Sequence, residues 1–411
     1  MSNSNVQENL AVDRLIPPYL KSLADFLQSQ LPDAWQWMHS DRFARDDVES
    51  IRLELLRTAV RLDRQSHARP YEFADLVSAE LMLEIPVTLY QLQNPSGWNA
   101  AAMPVTEHAH LLFEGPVLKE LGDDELVAVL AHELAHVLLW RIDDGRHRTA
   151  LRLLDALCDD SSASAAHLES DRLRRLHTEI FCDRVALFVV KDPLPAIASL
   201  IKVGTQAGDV DPIAYLKQAD EIFAAGKVTS EQVTHPELFI RARALKLWSD
   251  SADAIQQSID DMLAGDVHLD CLDLMQRDRV GDLTRRTIEA ITRYEWFRTD
   301  AVLSHARLYF DDFKWKRVAK SEAEQLASQF QSLDASVKQY FAYVLLDFAT
   351  SDRELDDLPL AAAIDLAEQL SIIDAFKEIA CKELRLRVKQ WNELTANRSK
   401  LLQRAEKGTK G

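Results

Sequence analysis

Residues 126–140 read Leu-Val-Ala-Val-Leu-Ala-His-Glu-Leu-Ala-His-Val-Leu-Leu-Trp, and His132, Glu133 and His136 are the only charged or titratable side chains in the run. There is no Pro or Gly within it, and Gly122, Asp123 and Asp124 just before it offer a helix start with negative charge at the positive end of the dipole. The stretch is predicted to be a helix, and with every other face apolar it belongs inside a core. Its three polar side chains therefore need partners.

His132 and His136 are four residues apart, which on a helix puts both imidazoles on one face, where two nitrogens can share one metal ion. Glu133 projects beside that ion. Zinc suits such a site because it takes neutral imidazole and carboxylate and, with three protein ligands, keeps a fourth position for water. Zinc-held water has a pKa near ~7, and Glu133 can take its proton as the water attacks a carbonyl, the chemistry of peptide hydrolysis. A chance His-Glu-x-x-His arises in roughly a few per cent of chains with this His content, so a third ligand has to be found.

The helix expected over residues 168–190 carries Glu179 and Asp183, again one turn apart on a common face. Phe181, Cys182, Val185 and the apolar run that follows make it a buried helix, where unpartnered carboxylates are costly. Glu179 can close the metal shell, and Asp183 can accept from the far nitrogen of a ligand histidine and fix its tautomer. Cys182 reads as a small packing residue, with a thiolate ligand as the alternative. His108 and His110 are rival ligands in a neighbouring strand.

The rest of the chain bounds the class. With 411 residues it can hold two or three domains, and its few Gly (11) and Pro (13) among long runs of Ala, Leu, Asp, Glu and Arg point to a mainly helical protein. A formal charge of −18 argues against a general nucleic-acid binder, and the basic run 172–175 reads as a solvated helix face. Four widely spaced cysteines suit a reducing compartment. The first ten residues lack the pattern of a secretory signal, and no window has the ~18 apolar residues of a membrane span, so a soluble cytoplasmic protein is expected.

Helices are expected over 19–31 and 48–62. From residue 85 the pattern changes to strand formers: 85–93, a turn at 94–97, an extended segment at 98–103, and a third strand at 108–113. A short helical turn over 117–121 precedes the motif helix. The edge of such a sheet can pair with an extended peptide and hold it over the metal. Asp143, Asp144 and Gly145 should break the motif helix from the next, over 149–157. Residues 249–253 read as a linker, 254–313 as helical with breaks at Gly265-Asp266 and Gly281, and 321–401 as helical.

His-Glu-Leu-Ala-His (132–136) followed by Glu-Ile-Phe-Cys-Asp (179–183) resembles the gluzincin peptidases of the family of HtpX and the CAAX prenyl endopeptidases. Trp-Asn-Ala-Ala-Ala (98–102) is similar to that family's edge strand, and Thr234-His235-Pro236 with Arg241 to its Thr-His-Pro…Arg segment. The resemblance covers about residues 85–248. It implies a zincin-type core with one zinc held by His132, His136 and Glu179, Glu133 as general base and acid, and Asp183 as a supporting residue. It also implies His235 as a donor to the oxyanion, Arg241 bracing the acids (with Arg243 as the alternative), and Asn99, Ala100 and Ala101 as the substrate-binding edge. Well-known relatives are membrane proteins and this chain has no span, so a membrane-embedded substrate does not carry over.

Tyr-Phe-Ala-Tyr-Val-Leu-Leu-Asp (340–347), Ser-Asp-Arg-Glu-Leu (351–355) and the apolar-periodic helix expected over 360–370 are similar to TerB-like domains across about residues 322–395, which implies a helical docking or regulatory module. Asp347, Asp352 and Glu354, with Asp356 and Asp357, offer a candidate calcium site. The expected architecture is mainly α with a small β-sheet (α+β): an N-terminal helical region (1–84), a metallopeptidase core (85–248), a helical connector (249–321) and an all-helical TerB-like domain (322–411). The expected function is a soluble zinc endopeptidase acting on a protein or peptide substrate, with a possible protein partner at the C-terminal domain. The alternatives are a latent peptidase-fold interaction protein and a metal-stress protein led by the TerB-like part.

Overall fold

The chain is mainly helical with one small β-sheet, in a computed structural model that describes residues 12–40, 51–93, 96–103, 105, 107–251, 255–316 and 320–408. It forms two compact units, Met1–Gly265 and Asp266–Gly411. The first unit contains α1 (Pro18–Gln30), α2 (Pro32–His39), β1 (Ala59–Arg61), α3 (Ala68–Glu80), β2 (Val87–Leu92), β3 (Asn99–Ala102) and β4 (Ala109–Glu114). A turn, α4 (Val117–Glu120), leads into the long α5 (Asp123–Asp159). Helices α6 (Ala165–Val190), α7 (Pro193–Thr205), α8 (Pro212–Ala224), α9 (Leu238–Asp250) and α10 (Gln256–Ala264) follow.

The sheet has the order β1-β2-β4-β3. Its centre is parallel, with Leu89 opposite Leu111, and both edge strands pair antiparallel, Val60 opposite Gln91 and Ala101 opposite Leu112. Alternation puts Leu89, Leu111 and Phe113 on one fully buried face, in a common core with Leu126, Leu130 and Leu134 of α5 and Phe181 and Val185 of α6. Each such side chain contributes about 1.5–3 kcal/mol on burial, so the apolar residues around the histidines seat the motif helix.

Local chemistry sets the ends of these helices. The Gly122 N–H donates to the Glu125 carboxylate at 2.8 Å, starting α5. Its ladder is interrupted where Asp143, Asp144 and Gly145 take left-handed φ of 51°, 56° and 74°, so the expected break falls inside one continuous span. Helix α6 ends at Lys191, whose φ is 61° and whose N–H donates to the Leu187 carbonyl at 2.8 Å.

Some expectations are corrected. Of the helix read over 48–62, residues 48–50 lie outside the described set, 51–58 are helical, and 59–61 form β1, because pairing of β-branched Val60 with β2 overrides the helical periodicity. Gly281 does not break a helix; it lies within α11 (Leu274–Ile291), facing open space. The turn residues 94 and 95, residues 252–253 of the linker and the first ten residues fall outside the described set.

Residues 1–84 and 85–248 belong to one unit, with Leu20 and Tyr71 in the same core as the sheet. The connector read over 249–321 is divided: Ile259 and Leu263 of α10 pack in the first unit, and residues 280–313 enter the core of the second. That second unit continues with α12 (Asp300–Tyr309), α13 (Lys320–Gln331), α14 (Ala335–Ala349), α15 (Leu358–Gln369), α16 (Ile373–Glu383) and α17 (Val388–Gly408). Its helices close around the fully buried Phe330, Phe341, Phe348 and Phe376. Among the described residues, no helix is long and apolar enough to cross a membrane.

Candidate metal centre

The first arm of α5 presents His132, Glu133 and His136, and α6 presents Glu179 and Asp183 to the same point. The imidazoles of His132 and His136 lie edge to face with centroids 5.2 Å apart. Glu179 bridges them, its Oε2 at 3.3 Å from His132 Nε2 and its Oε1 at 3.6 Å from His136 Nε2. Two helices thus converge on one buried carboxylate.

The far side of His132 is fixed. Its Nδ1–H donates to Asp183 Oδ1 at 3.0 Å, which aims Nε2 at Glu179. Arg241, from α9, forks onto Asp183 at 2.8 and 2.7 Å and approaches Glu179 Oε2 at 3.4 Å. Arg243, the alternative, pairs with Asp220 instead. His235, in the loop before α9, is well exposed with its Nε2 3.6 Å from Glu179 Oε1.

These contacts set the protonation states. Burial would raise Glu179, but His132 and Arg241 outweigh it and hold the carboxyl far below its usual range. Burial likewise would raise Asp183, and Arg241 holds it down. Burial would lower His132, yet hydrogen bonding to Asp183 and Glu179 raises it; His136 is lowered by burial to about 4 and stays neutral. Burial pushes Glu133 up to about 7, while His132 and a hydrogen bond from the Ala102 backbone pull the other way.

Two groups compete for the third ligand position. The donor atoms of His132, His136 and Cys182 all lie within 4.8 Å of one another. Cys182, however, is fully buried, and burial together with Glu179, Glu133 and Asp183 raises its thiol well above the ordinary value, so it stays protonated. Glu179 is ionised, faces both imidazoles, and its Oε2 is buried without a hydrogen bond of good geometry. A divalent cation between these three side chains would satisfy that oxygen, and two imidazoles with one carboxylate form a donor set that zinc accepts.

The site opens into a cavity of about 660 Å³ lined by His132, Glu133, Glu179 and His235 together with Trp98, Asn99 and Ala100. Ala101 follows on the same edge strand, β3. The rival histidines are engaged elsewhere: His108 bonds Thr88 at 2.7 Å, His110 bonds Tyr90 at 3.1 Å, and their rings stack on each other. The acidic residues of the second unit are not gathered as a calcium site would need. Asp347 accepts from Tyr309 at 2.5 Å, Asp352 accepts from Thr299 and caps the turn at Glu354, and no such group of three is within metal-ligand reach among the described residues.

Over 198 residues the chain is similar to a metallopeptidase. That relative is plastoglobule-localized metallopeptidase 48, chloroplastic, of Arabidopsis thaliana, 30% identical across 43% of this chain and 56% of its own length. The chain thus spans little more than half of that relative. No family model matches the sequence, and no solved structure matches it.

Reading the sequence missed the basic run on α6. Arg172 and Arg174, taken for a solvated face, have side chains only 17% and 11% exposed. Arg174 pairs with Asp171 at 2.6 Å, and Arg172 with Glu169 at 2.8 Å and with backbone carbonyls far along the chain. The signal available was Glu169 and Asp171 three residues before them, at the spacing of helical ion pairs.

Proposed function

We propose that this chain is a zinc-dependent endopeptidase. The observation that carries the reading is the meeting of Glu179 with both His132 and His136, with Asp183 behind His132. The similarity to a metallopeptidase supports the same class of chemistry. His132, His136 and Glu179 would hold the ion. When bound, zinc would polarise a substrate carbonyl and make water nucleophilic at neutral pH.

The side chains then have separable tasks. Asp183 keeps His132 in the tautomer whose Nε2 can donate a lone pair, and Arg241 balances the two buried acids. Glu133, which lines the cavity, would take a proton from water and pass it to the leaving amine. The β3 edge would pair with an extended peptide, and His235 would donate to the oxyanion as charge develops. All four cysteines are free, which suits a reducing compartment. The second unit, with its TerB-like sequence pattern, would serve as a docking or regulatory module.

The test is metal analysis and proteolysis on one preparation. One zinc per chain, lost on His132→Ala or His136→Ala, with hydrolysis of casein abolished by Glu133→Gln, supports the reading. Tight zinc with no hydrolysis of any protein or peptide library overturns it.

A further inference from the structure

We propose that Arg172 is a positioning residue: it clamps the 225–237 loop to α6 and so keeps His235 beside Glu179. This inference rests on the peptidase reading of the metal centre. Among the described residues, Arg172 sits seven positions before Glu179 on the same helix, two turns and about 10 Å away on a common face. The helix that carries the candidate ligand therefore also carries the clamp, and the two stay in register.

The contacts are specific. Arg172 forks onto Glu169, its Nε donating to Oε2 and its Nη2 to Oε1, both at 2.8 Å. Nη1 donates to the backbone carbonyls of Ser230 at 3.2 Å and Gln232 at 3.3 Å, and the second hydrogen of Nη2 to that of Leu263 at 3.5 Å. The first two belong to the loop that ends in Thr234-His235-Pro236, and the third to the end of α10. The five N–H groups of a guanidinium match these five acceptors, whereas an ammonium has only three donors.

The end of α10 holds the same loop independently. The Ser230 N–H donates to the Met262 carbonyl at 2.8 Å. Thr229 approaches Gly265 so closely that a Cβ there would sit 2.7 Å from its methyl group, and Gly265 has a φ of +69°. Further along, the Glu231 N–H donates to Glu237 Oε1 at 3.0 Å, tying the middle of the loop to its end. The loop has no helix or strand of its own, and these bonds hold it where His235 Nε2 lies 3.6 Å from Glu179.

The experiment compares the zinc-loaded 411-residue chain with Arg172→Ala, Arg172→Lys, His235→Ala and the double variant Arg172→Ala/His235→Ala. Hydrogen exchange of amides 228–235 should speed up about tenfold or more in Arg172→Ala, and Arg172→Lys should recover only part of the protection. Zinc stoichiometry should not change. On a fluorogenic peptide, kcat should fall about tenfold with KM within about twofold, and His235→Ala should add little in the Arg172→Ala background. Unchanged loop exchange, or losses from Arg172→Ala and His235→Ala that multiply, would overturn the clamp. A wild-type protein that cleaves nothing would instead count against the peptidase reading, and the exchange arm would still decide the clamp.

Discussion

Replacing Asp183 by Asn isolates the support behind the metal centre. The substitution is nearly isosteric, yet it removes the charge that accepts from His132 at 3.0 Å and from Arg241 at 2.7 and 2.8 Å. Loss of a hydrogen-bond partner behind a ligand histidine weakens metal binding about 10- to 100-fold, or roughly 1.4–2.8 kcal/mol. Removing one partner of a buried ion pair costs about 3–5 kcal/mol. Because Glu179 remains 3.4 Å from Arg241, the lower part of that range is expected here.

Denaturant unfolding of chelator-treated protein reads the second effect, and competition with a chromophoric chelator reads the first. The double variant Asp183→Asn/Arg241→Met removes the stranded cation but leaves Glu179 with His132 alone, so it should regain part of the stability and none of the zinc affinity. Zinc binding within twofold of wild type in Asp183→Asn would refute the claim that Asp183 orients His132. Equal stability of the single and double variants would refute the uncompensated-charge argument.

Glu133→Gln is expected to keep zinc, by elemental analysis, while peptide hydrolysis drops by about 100- to 10,000-fold. Gly115→Ala should destabilise the first unit by roughly 2 kcal/mol and raise KM, because φ is +64° and the new Cβ would meet the Gly97 carbonyl oxygen at 2.5 Å beside the cavity wall at Trp98. A thermal shift and steady-state kinetics together check this. His147 is buried and lowered to about 4, chiefly by burial. Its stabilising contribution is therefore complete above pH 6.5 and is lost as pH falls toward 4, since the unfolded chain takes up the proton first. Relative to wild type, His147→Leu should gain about 2 to 3 kcal/mol of stability between pH 7.5 and 4.5, measured as the difference in denaturant unfolding, and a pH-independent difference would exclude this titration.

Much of the site was legible because helical spacing is a local property. His132 with His136, and Glu179 with Asp183, are each one turn apart whatever the surrounding fold, and the apolar residues around them place both helices in a core. The small sheet was legible too, from strand formers at 85–93 and 108–113. Arg172 was not, since a basic residue on a helix looks the same whether it faces water or a loop from elsewhere in the chain. The helix read over 48–62 was wrong at its end for a related reason: strand pairing depends on a partner that local periodicity does not contain.

The sequence by itself determined which residues share a helix face, where α5 breaks at Asp143-Asp144-Gly145, and that both site helices are buried, because these follow from backbone geometry and side-chain type over a few neighbouring residues. Only the tertiary structure decided that His132 meets Asp183 across 51 residues, that Arg241 rather than Arg243 reaches those acids, and that Glu179 rather than Cys182 faces both imidazoles. Those outcomes depend on how long apolar faces pack against one another, and a shift of one residue in that packing would turn the same carboxylates away from the histidines.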